Sequence, residues 1–538
     1  MITKAEQAQL RSDLFRHLDG IVTIPTAWTL HEKGLTAHLL AEKSASLQSL
    51  TEQFPANEGY LNVALRVLAS QGWLQMEEDA ANDSITYTVL PAGEVAFRHL
   101  DIYEDSMQLM RFSEQFHPRR FEQKPFLKLE QIFNRFRENY GLPKPGNDTE
   151  QRVFAQMLKH IEGIIAGPTI VHLGMSGMFH KYFMEANFKP EEFHADHQSF
   201  ERLLNIFVHF DWFSKQGDVY QFTDKGLFFA RRASAYGVTV SYIPTLRKLD
   251  ELIFGNPRIL KEASTEDKEA HVDRAMNVWG SGGAHANYFK VVDKIVIDLF
   301  NKPIEEQPKG ILDMGCGNGA FLQHLYYLIE QHTLRGTMLD EHPLFLVGAD
   351  YNEDALRISR ANLIQADIWA KVVWGDIGRP DLLADQLMEQ YGIALSDLLN
   401  VRTFLDHNRI WKEPANPKAD RISQSTGAFA YEGRRIPNRL VEDSLVEHLA
   451  AWKPFVEKFG LLIIELHTVD PTLVADNLGN TGATAYDATH GYSDQYILEA
   501  HIFAQLAKEA GLPPAEQFSK RFPDSDLATV TINLLRAK

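Results

Sequence analysis

The stretch that most constrains this chain is Gly310 to Leu322, GILDMGCGNGAFL. An apolar run ends in Asp313, then Gly315, Gly317 and Gly319 follow at every second position before a helical pattern begins. A strand that feeds a tight glycine turn and then a helix N-terminus is a nucleotide cradle. The glycines let the backbone approach a ligand, and the unpaired N–H groups of the helix start point at it. The spacing is D-x-G-x-G-x-G, not the G-x-G-x-x-G of dinucleotide folds, and the acid precedes the first glycine. Further apolar runs at Leu344 to Ala349, Lys371 to Trp374, Asp397 to Phe404, Leu461 to Leu466 and Leu527 to Leu535 alternate with helical stretches. That alternation predicts an α/β domain with a mostly parallel sheet and right-handed crossovers. Ligands on such sheets bind at the carboxyl ends of the strands.

Two more acids stand at such ends. Asp350 closes FLVGAD and is followed by Tyr351; Asp376 lies in Trp374-Gly375-Asp376-Ile377. An acid in the position of Asp350 can accept both hydroxyls of a ribose. Its distance from Asp313 is lengthened by Gln331 to Pro343, which reads as an insertion after the first helix. The D-x-G-x-G-x-G turn resembles motif I of the class I S-adenosylmethionine (SAM) methyltransferases, whose glycines accommodate the amino-acid end of the cofactor. The resemblance implies SAM as cofactor, held by Asp313, Gly315, Gly317, Gly319, Asp350, Tyr351, Asp376 and Ile377. In that scheme Asp376 takes the adenine amino group and Ile377 lies near the ring.

The N-terminal half carries a repeat. Leu14 to Leu30, Gly34 to Leu50 and Glu58 to Gln71 read as helices, and Gly72 to Leu74 and Thr86 to Val89 flank an acidic turn. Three helices and a two-stranded wing are a winged-helix pattern. His17, Gly20, Ile21, Pro25, Thr26, Leu30 and Gly34 recur as His160, Gly163, Ile164, Pro168, Thr169, Leu173 and Gly177, Trp73 as Trp212, and Tyr87 and Gly93 as Tyr220 and Gly226. The expected organisation is therefore a winged-helix module at 1–105, a helical linker at 106–152, a second module at 153–236, a helical connector or lid at 237–300, and a class I Rossmann-like methyltransferase domain at 301–538. Residues 1–100 hold 7 Lys+Arg against 12 Asp+Glu, Arg66 is the one cation on the third helix, and the chain's net charge is −18. A DNA reader needs a basic face, so nucleic acid is excluded as a partner. The modules resemble the N-terminal dimerisation domains of small-molecule methyltransferases, which implies a monomer with an internal pseudo-dimer or a homodimer. Gly280 to His285, GSGGAH, reads as a flexible turn, either closing over SAM or hinging two domains. The lone Cys316 rules out a disulfide framework, and no apolar run suits a signal peptide or a membrane span. A cytoplasmic protein with no membrane partner is expected.

The fourth apolar run leads into Val401 to Arg409, VRTFLDHNR, dense in cations, acid and imidazole. Arg402, Asp406 and His407 are candidate catalytic residues there, His407 as the base because imidazole titrates near neutral pH. The plainer alternative is a local Arg402–Asp406 ion pair with His407 capping the turn. The QPKGILDMGCGNG, VRTFLDHNR and HGYSDQY stretches together resemble the mononuclear-metal-dependent C-methyltransferases of polyketide synthase loading modules, typified by the apratoxin pathway. That resemblance implies a divalent ion, Fe²⁺ or Mn²⁺, on His490 and Gln495. It also implies methylation of the α-carbon of a malonyl-like thioester. His467, at the end of the fifth strand, reads as structural. No carrier segment follows the last strand, so the acyl group is expected on a separate carrier protein or as a small molecule. The alternatives are a metal-independent O-methyltransferase acting on a phenol or acid through His407, and a SAM-sensing winged-helix regulator.

Overall fold

The computed structural model describes residues 2–112, 122–265 and 269–537, with the backbone alone at 283–287. It divides into two compact units: Met1–His285 with Ala430–Arg435 and Asp470–Ser493, and Ala286–Phe429 with Ile436–Val469 and Asp494–Lys538. The domain limits expected from the sequence run in chain order. The units do not, because two short C-terminal stretches pack into the first.

In the first unit, helices α1 (Lys4–Glu32) and α2 (Asp148–Met175) realise the repeat. They cross where a Cβ on Gly20 would lie 2.3 Å from the His160 Cα and a Cβ on Gly163 would lie 2.5 Å from the His17 carbonyl oxygen. The repeated Gly and His are thus one reciprocal contact, each glycine lying against the other copy's histidine. The partners repeat too. His17 Nδ1 pairs with the Tyr236 hydroxyl and His160 Nδ1 with that of Tyr103, both at 2.8 Å. Pro25 and Pro168 interrupt the helical ladders, and the Thr26 and Thr169 hydroxyls donate to the carbonyls of Val22 and Ile165 one turn back. In each wing a glycine, Gly93 or Gly226, sits against the backbone of its tryptophan, Trp73 or Trp212.

The structure corrects two local expectations and refines a third. Gly34 to Leu50 is two helices, Leu35–Glu42 and Leu47–Gln53, because Lys43 turns left-handed and Ser44–Ser46 joins the wing as a third strand. Residues 280–285 are not a turn: helix α3 (Arg274–Phe300) runs straight through them. Gly280 is there because it packs on Gly237, each lying where the other's Cβ would come within about 2.7 Å of backbone. The side chains of 283–285, like residues 113–121 of the expected linker, lie outside the described residues. Finally, the connector expected from Gly237 onward is a series of short helices before α3.

The second unit is built on seven strands: β1 (Gly310–Met314), β2 (Phe345–Asp350), β3 (Ala370–Trp374), β4 (Leu398–Thr403), β5 (Leu461–Leu466), β6 (Lys520–Phe522) and β7 (Val530–Leu535). Their spatial order is β6-β7-β5-β4-β1-β2-β3. The first five are parallel, and β7 runs antiparallel between β5 and β6. The short, charged β6 carries no apolar alternation and was not expected. The order reverses between β1 and β4, so the ligand crevice opens at their carboxyl ends. The glycine turn and the VRTFLDHNR run both lie there. Among the described residues no helix is long and apolar enough to cross a membrane.

The reciprocal crossing gives a direct test. Gly163→Ala should push the two long helices apart and destabilise the first unit by about 1–3 kcal/mol. Calorimetry should show its transition fall, and an unchanged transition would remove the crossing as the organising contact.

Candidate active site

The glycine turn follows the fully buried β1 and carries the chain into the next helix through three left-handed residues. Gly315, Gly317 and Gly319 have φ of 77°, 54° and 78°, the left-handed region that glycine adopts without strain. At Gly315 a Cβ would also press on the Leu405 side chain at 2.9 Å, which would have to shift. Gly319 then opens helix α4 (Ala320–His332). The turn is braced from behind, where Ser359 Oγ donates to the Gly317 carbonyl at 2.9 Å and Asn362 Nδ2 to that of Asn318 at 3.0 Å.

Asp313 is 1% exposed, and neither of its carboxylate oxygens has a hydrogen-bond partner among the described residues. Burial, and after it the neighbouring Asp350 charge, pushes its carboxyl up to about 7. An unpaired buried acid beside a glycine turn suits a cationic ligand group, such as the ammonium of an amino acid. Asp350 accepts the Gly317 N–H at 3.0 Å and the Asn352 N–H at 2.9 Å, one on each oxygen, so the acid also shapes the turn. A carboxylate oxygen can accept more than one hydrogen bond, so an acid in this place suits a ribose hydroxyl as a further donor. Tyr351 is 58% exposed and its ring lies 5.5 Å from that of Trp374, centroid to centroid. Asp376 accepts the Gly378 N–H at 2.8 Å, and Ile377 is buried. The parallel register sets Asp313 beside Gly348 on β2 and Asp350 beside Trp374 on β3, which brings the three expected acids to one sheet edge. This set fits SAM.

Beyond β4 the charged run is buried. Arg402 lies 3.3 Å from Asp406 and its guanidinium sits 4.5 Å over the Trp452 ring. Asp406 also meets His448 Nε2 at 3.0 Å. Burial pushes the Asp406 carboxyl up, but Arg402, His448 and Arg409 together outweigh it and hold the acid below its usual range. Arg402 and Asp406 are only 1% exposed, so they act on the loop that carries His407. His407 Nδ1 lies 2.5 Å from Glu465 Oε1, and the His407 N–H points to the other carboxylate oxygen at 3.3 Å. An imidazole that gives its Nδ1–H to a carboxylate presents Nε2 as its basic nitrogen. His467 is fully buried with both nitrogens engaged, by the Leu498 carbonyl and the Thr531 hydroxyl, and burial lowers it to about 4. It is structural.

Sequence reading missed Glu465 as the partner of His407, and His448 and Trp452 on helix α5 (Asn438–Val456). Trp452 is a link as well as a platform, since its Nε1–H donates to the Ile377 carbonyl at 2.8 Å. No spacing signal marks partners 42 to 75 residues apart. The remaining two candidates belong to different units. His490, on helix α6 (Ala483–Gly491) of the first unit, is buried with Nδ1 2.8 Å from the Tyr486 carbonyl. Gln495, in the second unit, is also buried.

Two outcomes follow for the cofactor. Asp350→Ala should weaken SAM binding at least about tenfold, since each charge-assisted hydrogen bond is worth roughly 1–3 kcal/mol. Wild-type affinity in calorimetry would refute the assignment. Asp313 must also be ionised to hold a cation, so SAM affinity should rise with pH up to about 7, with proton uptake by buffer detectable below it. The ligand-free fold should behave in the opposite sense. A carboxyl raised above its unfolded value of about 4 stabilises below that pH and loses the contribution as pH climbs through 7. Asp313→Asn should flatten both profiles.

Comparison with known proteins gives the family. Three family models match in chain order: the AprA N-terminal domain over residues 10–76, the AprA winged helix domain over 162–256, and the AprA MT2-like domain, a methyltransferase model, over 269–533. No curated protein matches the sequence. Among solved structures, the chain resembles PigF with SAH at 12% identity, covering 72% of this chain and 99% of that one, with a TM-score of 0.38. It resembles an O-methyltransferase family 2 protein from Planctomyces limnophilus in complex with apigenin at 11% identity, 98% and 95% coverage, and a TM-score of 0.38. It also resembles the CurJ carbon methyltransferase at 12% identity, 77% and 99% coverage, and a TM-score of 0.33. These three likenesses are distant, and the assignment rests on the family models and the glycine-turn site. Residues 269–533 form an AprA MT2-like domain behind AprA N-terminal and winged helix domains, and the chain is a SAM-dependent methyltransferase.

Proposed function

We propose that this methyltransferase alkylates the α-carbon of a malonyl-like thioester borne by an acyl-carrier protein, with a divalent ion, Fe²⁺ or Mn²⁺, held by His490 and Gln495. The observation that carries this reading is the His490 Nδ1 contact with the Tyr486 carbonyl at 2.8 Å. With Nδ1–H given to the backbone, Nε2 carries the lone pair, and a second-nitrogen bond of this kind is what orients a metal-ligating imidazole. Gln495 would offer the ion a neutral amide oxygen, a weaker donor than imidazole. A divalent ion there lowers the cost of ionising a 1,3-dicarbonyl.

The chain's own residues do the rest. His407 accepts the α-proton at Nε2 while Glu465 holds Nδ1–H and stabilises the imidazolium. The acceptor carbon then forms its bond to the methyl group as the S–CH₃ bond breaks, and the protein's contribution is alignment. Arg402, Asp406 and His448 keep the His407 loop in place. A second reading, metal-independent O-methylation of a phenol or acid, is favoured by the His407–Glu465 pair alone, which suffices to take a proton from a hydroxyl.

Elemental analysis of protein purified without chelator separates the two. His490→Ala should lower methyl transfer at least about a hundredfold and leave SAM affinity within about twofold, because losing a Lewis acid removes several kcal/mol and each ~1.4 kcal/mol is tenfold. Gln495→Ala should be milder, and chelator should mimic His490→Ala until Fe²⁺ or Mn²⁺ is restored. Full activity in chelator would select the O-methyltransferase. A His490 variant that has also lost SAM would make His490 structural.

A further inference from the structure

The third helix of the first module, Glu58–Ser70, holds the position from which winged-helix proteins read DNA, yet its single cation is buried. Arg66 Nη1 donates to Asp487 Oδ2 at 2.6 Å, with the two side chains 2% and 6% exposed. Asp487 lies on α6, three residues before His490. The ion pair is one rung of a longer register within the first unit. Tyr60 faces Tyr492, with ring centroids 6.4 Å apart. Val63 fills the space beside Gly491, where a Cβ would come within 2.8 Å of its methyl groups. Ser70 Oγ meets Thr484 Oγ1 at 3.0 Å, and Gln71 Nε2 donates to the same hydroxyl at 3.1 Å.

Tyr60, Val63, Arg66 and Ser70 recur at helical spacing on one face. They meet Tyr492, Gly491, Asp487 and Thr484 in descending order, so the two helices lie antiparallel along a single stripe. From below, the Thr26 hydroxyl of α1 reaches the Tyr492 hydroxyl at 3.1 Å. An apolar stripe alone would allow α6 to slide or rotate. A buried charge pair with a fixed donor geometry does not, because a displaced guanidinium leaves two uncompensated charges.

We infer that the third helix is the seat of α6, and that Arg66 is a positioning residue acting through Asp487 to fix the rotation of the His490 imidazole. This rests on the reading of His490 as a metal ligand. In the second module the position of Arg66 is taken by Asn205, which accepts a hydrogen bond from the Tyr220 hydroxyl at 2.8 Å within its own module. The seat is thus a property of one copy.

The test uses the full chain and the pair Arg66→Met and Asp487→Asn. Each single variant leaves one buried group without its partner and should lower the melting temperature. The double variant removes both charges and should recover most of that loss. If the pair only stabilises, the double variant should regain everything. If it positions, the double variant should still exchange the amide hydrogens of 483–491 at least about tenfold faster, with 310–322 unchanged. It should also bind Mn²⁺, titrated alone and followed by electron paramagnetic resonance, at least about tenfold more weakly while SAM affinity stays within about twofold. Arg66→Lys, which keeps the charge but not the fork, should fall between. A double variant with wild-type exchange over 483–491, or with wild-type Mn²⁺ affinity, overturns the inference. Wild-type protein that binds no Mn²⁺ overturns the metal reading instead, and the exchange measurement then decides the positioning role alone.

Discussion

The close crossing of α1 and α2 is the contact on which the first unit depends. Gly20 and Gly163 let two helices of almost thirty residues approach backbone to backbone, and each copy's histidine is then sealed between the partner helix and a tyrosine hydroxyl. The tight approach explains why these positions recur in the repeat while the surface between them does not. A Cβ at either glycine would have to displace backbone, which no rotamer change can accommodate. Alignment of α1 in turn places Thr26 against Tyr492.

Much of this was legible in the chain, and for physical reasons. The repeat showed because glycine, proline and histidine were held at fixed spacing by backbone geometry. The sheet showed because β1, β2, β4 and β5 are buried runs of apolar residues, and the acids at their ends stand where the strands stop. What could not be read was pairing at a distance. His407 and Glu465 are neighbours because β4 and β5 are adjacent in the sheet, and His448 reaches Asp406 from a helix packed across it. The GSGGAH segment misled because glycine signals both turns and close helix packing, and only the presence of Gly237 opposite decides which. The placement of 470–493 in the first unit was hidden for the same reason: Arg66 in isolation reads as a weak DNA contact, and becomes an anchor only when Asp487 is beside it.

Beneath β4 the unit buries an unusual concentration of charge. Arg402 and Asp406 alone would be an expensive way to fill space, since desolvating a pair costs about what its attraction returns. Here the cost is shared. Trp452 offers its ring face to Arg402, His448 completes Asp406, and Arg409 donates to the Asp406 and Val441 carbonyls at 3.0 and 3.2 Å. The contacts hold Asp406 and the turn after it from three sides, although the Arg402 guanidinium nitrogens and Asp406 Oδ2 are buried without a hydrogen bond among the described residues. The same tryptophan donates to the Ile377 carbonyl, so the residue expected beside the cofactor's adenine and the support of the His407 loop are joined by one side chain.

Two winged-helix modules in one polypeptide are released from the symmetry that two identical chains would impose. In a symmetric pair, any residue that improves one seat must be tolerated at the other. Fusion lifts that constraint, and the copies have already drifted apart: His17 meets Glu162 where His160 meets Gln71, and Arg66 stands opposite an asparagine. Only the first copy's third helix pairs a cation with α6 through a buried ion pair. The repeat is therefore unequal in its contacts: the third helix of one copy lies along α6, and the residue matching Arg66 in the other bonds within its own module.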